Sequence, residues 1–186
     1  MSNNPNYYYY LLRRSLIGLA YRRLFLYPRI STFCNGNVLD VGCGLGDFLA
    51  HQKGSIGVDV NPEAVAYCKS RGLDSKLMIH DVLPFPSQSF STIVLDNVIE
   101  HVTSPDALLR EIFRVLRPGG KFVVGIPGAA GFESDPDHKV FYEESTLIRT
   151  VELEKFQCVD SFHTPVKLLS LSRILRAYSI YCVFNK

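Results

Sequence analysis

From residue 37 onward, short β-branched apolar runs alternate with stretches of helical period. That alternation predicts a parallel sheet flanked by helices. Strands are expected over 37–41, 55–60, 75–80, 92–97 and 121–126. Asn61 can cap a helix over 62–71 that opens on Pro62. A second helix over 104–116 has Ser104 as cap, Pro105 at its opening, and Leu108, Leu109, Ile112, Val115 and Leu116 as an apolar stripe. It stops sharply at Arg117-Pro118-Gly119-Gly120. After Pro127 the rhythm changes to a loop over 128–137 and a helix over 143–153. Strand-like runs at 156–162 and 179–184 follow, joined by a basic, apolar helix around 167–177. Together these predict one doubly wound α/β domain with a seven-stranded, mostly parallel sheet, an antiparallel last strand, and helices on both faces.

Length agrees, since 186 residues suit a single domain with a full-sized core. An apolar content of 47 % beside 20 % charged residues is that of a soluble globular protein. Five cysteines, with no CxxC pair, predict reduced thiols in a cytoplasmic protein rather than disulfides or a zinc site. The N-terminus lacks a signal peptide's form, and no run approaches the ~18 apolar residues of a membrane span. The net charge of +2 demands no polyanionic partner, and no nucleic-acid contact is expected.

The charge is nevertheless uneven, because residues 1–39 hold five arginines and no acid. On one straight α-helix, Arg13, Arg14, Arg22 and Arg23 would scatter around the circumference. That argues against an interfacial membrane helix unless Gly18 breaks the segment in two. Integral membrane contact is therefore not expected, and peripheral association stays open.

The chemistry concentrates at Asp40-Val41-Gly42-Cys43-Gly44-Leu45-Gly46, where the first strand turns into a helix. Glycines there permit a tight turn and close approach of a ligand to backbone N–H groups. Asp59 ends the next strand, 19 residues after Asp40, at a spacing that suits ribose hydroxyls. Dinucleotide sites use G-x-G-x-x-G, whereas this turn reads G-x-G-x-G and is followed by Asp47. A carboxylate there repels a pyrophosphate but leaves a phosphate-free nucleoside unharmed. S-adenosylmethionine is such a ligand, with a sulfonium, an α-amino group for Asp40 and a methionine portion for the glycine turn.

Residues 37–46 resemble motif I of the class I S-adenosylmethionine-dependent methyltransferases, whose domain is Rossmann-like. Ile56-Gly-Val-Asp59 resembles their second-strand acid, and His80-Asp81-Val-Leu-Pro-Phe-Pro86 their adenine-binding segment. Residues 91–101 resemble their fourth strand and its loop, and Leu116-Arg-Pro-Gly-Gly-Lys121 their turn before the fifth strand. The resemblance spans 37–127 and speaks to fold and cofactor, not to the methyl acceptor. It implies a contact set of Asp40, Gly42, Cys43, Gly44, Gly46, Asp59, Val60, Asp81, Val82 and Asn97 for S-adenosyl-L-methionine and its product S-adenosyl-L-homocysteine. It also implies that an N-terminal segment, 1–36, covers the cofactor site of a 37–186 domain, the two forming one structural unit.

For proton removal from an acceptor, His138 in the loop after the fifth strand is the leading candidate, with His101 and Tyr142 beside it. His101 reads equally as a packing residue. In some quinone-pathway relatives an acid and histidine cluster near 100 binds a divalent metal. This chain shows Glu100 and His101 alone in that stretch, so no metal is expected. The tyrosine run at 7–10 suits a cover for the adenosyl group or ordinary packing.

Three functions follow. The first is methyl transfer to a small-molecule acceptor (a metabolite, a sugar or a lipid-linked precursor), O-methylation being favoured, by a monomer or homodimer. The second is a catalytically silent S-adenosylmethionine-binding regulator or subunit. The third, a nicotinamide-dependent oxidoreductase, is disfavoured by the glycine spacing and Asp47.

Overall fold

The computed structural model describes residues 15–186; the tyrosine run at 7–10 and Arg13 and Arg14 lie outside the described residues. Seven strands form one sheet: β1 (Val38–Val41), β2 (Ile56–Asp59), β3 (Ser75–Leu77), β4 (Phe90–Asp96), β5 (Leu116–Pro127), β6 (Gln157–Thr164) and β7 (Ser179–Asn185). Their order is β3-β2-β1-β4-β5-β7-β6. Only β7 runs against its neighbours, as the terminal strand pair predicts. Chain order reverses between β1 and β4, the crevice where open α/β sheets bind ligands.

Both faces of the sheet are buried, and the period-two alternation of each strand assigns side chains to them. Leu39, Ile93, Leu95, Phe122 and Val124 join the larger core. Val38, Val94, Val123, Tyr181 and Val183 point into the second core on the opposite face. The larger core is closed by α5 (Asp106–Val115), whose Leu108, Leu109, Ile112 and Val115 are fully buried, and by α7 (Glu144–Glu152). The second core is closed by the N-terminal helical segment through Leu26, Tyr27 and Ile30. That segment is α1 (Leu16–Tyr21), a π-helical turn (Arg22–Leu26) and α2 (Tyr27–Ser31). The remaining helices are α3 (Asp47–His51), α4 (Pro62–Ser70) and α6 (Ala129–Phe132).

Local signals explain most boundaries. Asn61 Oδ1 accepts from the Glu63 and Ala64 N–H groups, so α4 starts at Pro62 as expected. At α5 the expected Ser104 cap is not made; Pro105 is the cap residue, and its carbonyl accepts the first helical bond from Leu109 at 2.8 Å. The Arg117–Gly120 turn interrupts pairing within one long strand, shifting register from Phe90↔Leu116 to Thr92↔Lys121. The expected helix around 167–177 is reduced to a 3-10 turn over Leu169–Arg173. Its side chains find little to pack on, and the Ser172 hydroxyl donates to the Leu169 carbonyl, so neither burial nor propensity sustains a longer helix.

Candidate active site

A cavity of about 530 Å³ opens at the carboxyl ends of β1, β2 and β4. Its floor is the glycine turn after β1. Gly42 has φ 78° and Gly46 φ 74°, the left-handed region. The Gly42 and Cys43 N–H groups both donate to the Val58 carbonyl, at 2.8 and 3.0 Å, tying the turn to β2. A Cβ on Gly42 would stand 2.4 Å from Val98 Cγ2. Gly42→Ala is therefore expected to cost ~1–2 kcal/mol in backbone strain and ~1–3 kcal/mol in overpacking. Thermal unfolding checks this, and adding Val98→Ala should return part of the loss. An unshifted midpoint would mean that the turn is not packed as described.

Three carboxylates face this turn. Asp59, at the end of β2, accepts from the Gly44 N–H on Oδ2 and the Asn61 N–H on Oδ1, both at 2.8 Å. One lone pair on each oxygen remains for a ligand. Asp40 is buried, and burial, followed by repulsion from Asp96 and Asp59, lifts its pKa well above the carboxylate range. Asp96, at the end of β4, accepts from the Tyr181 hydroxyl at 2.5 Å and from Asn97 Nδ2 at 2.8 Å. Gly125 leaves room for that Tyr181 ring, since a Cβ there would meet Cε1 at 2.2 Å.

The donor set decides what fits. Asp47, Asp59 and Asp96 line the cavity beside the buried Asp40 and would repel a pyrophosphate. A ligand with sulfonium and ammonium groups and ribose hydroxyls suits the same carboxylates. Arg22, from the π-helical turn, and Arg176 line the cavity as well. Either can meet a carboxylate end of the ligand.

Comparisons with known proteins agree with this chemistry. A family model described as Methyltransferase domain matches residues 39–124. A Mycolicibacterium smegmatis protein named a probable S-adenosylmethionine-dependent methyltransferase is 35 % identical over 75 % of this chain and 60 % of its own. A ubiquinone biosynthesis O-methyltransferase of Xanthomonas oryzae pv. oryzae is 33 % identical over 45 % of this chain and 40 % of its own. The chain thus spans 40–60 % of the length of these curated relatives. Among solved structures, an S-adenosylmethionine-dependent methyltransferase from Thermotoga maritima superposes with TM-score 0.78 at 18 % identity, over 97 % of this chain and 98 % of that one. One from Archaeoglobus fulgidus gives 0.73 at 19 % identity over 96 % and 100 %. Residues 39–124 carry a methyltransferase domain, and the chain has the Rossmann-like fold of the class I S-adenosylmethionine-dependent methyltransferases.

Of the cofactor contacts expected for a methyltransferase, Asp40, Gly42, Cys43, Gly44, Asp59, Val60 and Asn97 line the cavity. Gly46 shapes it from behind: its N–H donates to the Cys43 carbonyl at 2.9 Å, and a Cβ would strike Leu73 and Cys68. Asp81 and Val82 are not in the wall. The chain turns back on itself there, with an Ile79↔Val82 bridge and His80 in the left-handed region, which leaves Val82 exposed beyond β3. Tyr142 does not line the cavity either. It is buried in the larger core instead of facing the cavity, because the chain enters α7 at that point.

His101 and His138 do meet. The His101 turn (Ile99–His101) follows β4, and the loop after α6 is stitched to it by the Lys139 and Val140 N–H groups, which donate to the Glu100 carbonyl at 2.8 and 3.1 Å. The two rings lie 4.6 Å apart, and Phe132 stacks on His138 at 5.2 Å. His138 Nδ1 is 2.8 Å from the Phe132 carbonyl, which can only accept, so Nδ1 carries a proton. The Nε2 of the same ring is 3.7 Å from Glu100 Oε1. His101 Nδ1 is 3.2 Å from the Asp137 carbonyl, and burial, then His138, lowers its pKa.

Glu100 is the residue that sequence reasoning undervalued. It is 1 % exposed, and neither carboxyl oxygen has a hydrogen-bond partner. Burial pushes its pKa up to about 8, with Asp96 adding repulsion. Among the described residues, Glu100, His101 and His138 also form a group with metal-type donors within 4.8 Å of one another. The third donor lies 37 positions beyond His101, which is why the local motif shows two.

A pH dependence follows. Glu100 ionises near 4.5 when unfolded and near 8 when folded. The folded chain therefore holds an extra proton between those values, and this contribution to stability falls as pH rises through that window. The lowered pKa of His101 acts in the opposite sense. Comparing Glu100→Gln with the parent isolates the Glu100 part: denaturant unfolding should show the variant gaining relative stability from pH 5 toward 8. Parallel profiles would remove Glu100 as the source.

Proposed function

We propose that the protein transfers a methyl group from S-adenosylmethionine to a small-molecule acceptor, with an oxygen as the favoured target. The observation that carries this reading is the pairing of two features in one cavity. A carboxylate-rich glycine turn suits the sulfonium cofactor, and the His138 ring, oriented by the Phe132 carbonyl, lines the same cavity. When bound, the cofactor supplies a methyl group on a sulfonium sulfur that is open to displacement. Asp59 holds ribose hydroxyls, Asp40 and Asp96 favour the positive groups, and the backbone of the glycine turn contacts the rest. His138 Nε2 accepts the proton of the attacking hydroxyl. Glu100, kept protonated by burial, stands behind it, and His101, kept neutral, holds the ring in place.

The acceptor, a metabolite, a sugar or the head of a lipid-linked precursor, enters on the side of the cavity lined by Ser134, Asp135 and the Arg176–Ala177 segment. Five free thiols support a reducing, cytoplasmic setting, and no described helix is long and apolar enough to cross a membrane. Methyl-labelled cofactor incubated with acceptor pools tests the function. Label in a small, alkali-stable product supports it, and no transfer across broad pools supports a silent cofactor-binding subunit instead. Proton chemistry at the histidine pair needs no metal, so turnover should persist in excess EDTA. Loss that a divalent ion restores would make the Glu100 group a metal site.

A further inference from the structure

We infer that the rim of the cavity is a docking surface for an anionic lipid bilayer. The rim is built from two segments, 15–32 and 164–177. Ser15, Gly18, Leu19 and Arg22 line the cavity from the first, and Arg176 and Ala177 from the second. They adjoin directly: the Tyr21 hydroxyl bonds to Thr164 Oγ1, and Phe25 and Pro165 share a small cleft.

The outward side of both segments is apolar. Leu16, Ile17, Leu24 and Phe25 are 67–83 % exposed. Across the gap, Val166, Leu168, Leu169 and Ile174 are more than half exposed. Nine of the fifteen exposed large apolar side chains among the described residues belong to these two segments. Scattered surface leucines need no explanation, but a contiguous patch around a cavity mouth marks an interaction site.

Charge chooses the occupant. Neither 1–39 nor 161–186 contains an acid, and together they carry nine of the 20 bases. The intervening 121 residues hold all 18 acids against 11 bases, a net of −7. Arg23, Arg29, Lys167, Arg173 and Arg176 are exposed beside the apolar side chains. Apolar groups interleaved with cations and free of acids are the pattern of an interfacial membrane contact. A second copy on the same face would set these cations against their equivalents with no counter-charge between them. The straight-helix argument against such a contact fails on one residue. Arg22 turns inward to the cavity and the field of Tyr27 and Asp96, so among the described residues of that helix Arg23 alone of the pair faces outward.

Docking does not rest on the methyl-transfer reading, although it would present the cavity to an acceptor held in a bilayer. Co-sedimentation with unilamellar vesicles tests it. The protein should bind vesicles of equal parts phosphatidylglycerol and phosphatidylcholine, bind pure phosphatidylcholine far less, and lose affinity as salt rises. Phe25→Glu and Ile174→Glu should each weaken binding at least ten-fold, and Arg173→Gln about five-fold. Leu153→Glu, an equally exposed leucine elsewhere, should leave it unchanged. Circular dichroism confirms that each variant is folded. Three results would overturn the inference: a folded parent protein that ignores anionic vesicles, equal binding to neutral ones, or a stable dimer in light scattering that Phe25→Glu and Ile174→Glu dissolve.

Discussion

Asp59→Ala is expected to weaken S-adenosylhomocysteine binding by about 1–3 kcal/mol, roughly five- to 150-fold in Kd. Two losses add. The ribose hydroxyls lose a charged acceptor, and the Gly44 and Asn61 N–H groups lose the carboxylate that fixes both, each at 2.8 Å. The second loss loosens the turn that the cofactor lies on, so the effect should exceed that of an isolated surface contact. Asp59→Asn keeps the shape and one acceptor oxygen and should fall between alanine and the parent. Isothermal titration gives the comparison. Unchanged affinity in the alanine variant would refute the role, whatever happened to turnover.

His138→Ala is expected to lower kcat by ~10²–10⁴-fold while leaving cofactor affinity nearly intact, the size of effect a positioned proton acceptor supplies. The ring is held by Phe132, by His101 and by the Phe132 carbonyl, so its orientation in the cavity wall is fixed. His101→Ala should give a smaller loss, through misorientation of that ring. If cofactor affinity fell with His138→Ala, the residue would belong to the cofactor side of the cavity. If neither constant moved, the proton must leave by another route.

The cofactor half of the site was legible because it is local. Strand, glycine turn and second-strand acid lie within 22 consecutive residues, and backbone geometry alone places Asp40, the glycines and Asp59 around one cavity. The sheet was legible for a related reason. Buried strands read as apolar runs, and the α5 stripe fixes its own inner face. What the sequence pattern could not place was decided by packing between distant segments. Tyr142 looked like a site residue from its loop composition, yet entry into α7 buries it. Asp81 and Val82 sit on a turn whose outward course no periodicity announces.

The catalytic side needed three dimensions. His138 reaches His101 only because two loop N–H groups converge on the Glu100 carbonyl. Glu100 read as half of an incomplete acid and histidine pair, and nothing local announces its complete burial. Arg22 was hidden by the assumption of a uniform α-helix, which the π-helical turn over Arg22–Leu26 breaks. Arg176 was expected on a helix that does not form. In each case the residue type was visible and its direction was not.

The central claim is that the carboxylate-lined glycine turn holds S-adenosylmethionine rather than a dinucleotide. Parallel titrations of the purified protein with S-adenosylhomocysteine and with NAD test it most directly. The account predicts saturable, one-to-one binding of S-adenosylhomocysteine that Asp59→Ala weakens, and no measurable binding of NAD. Tight NAD binding without binding of S-adenosylhomocysteine would contradict it.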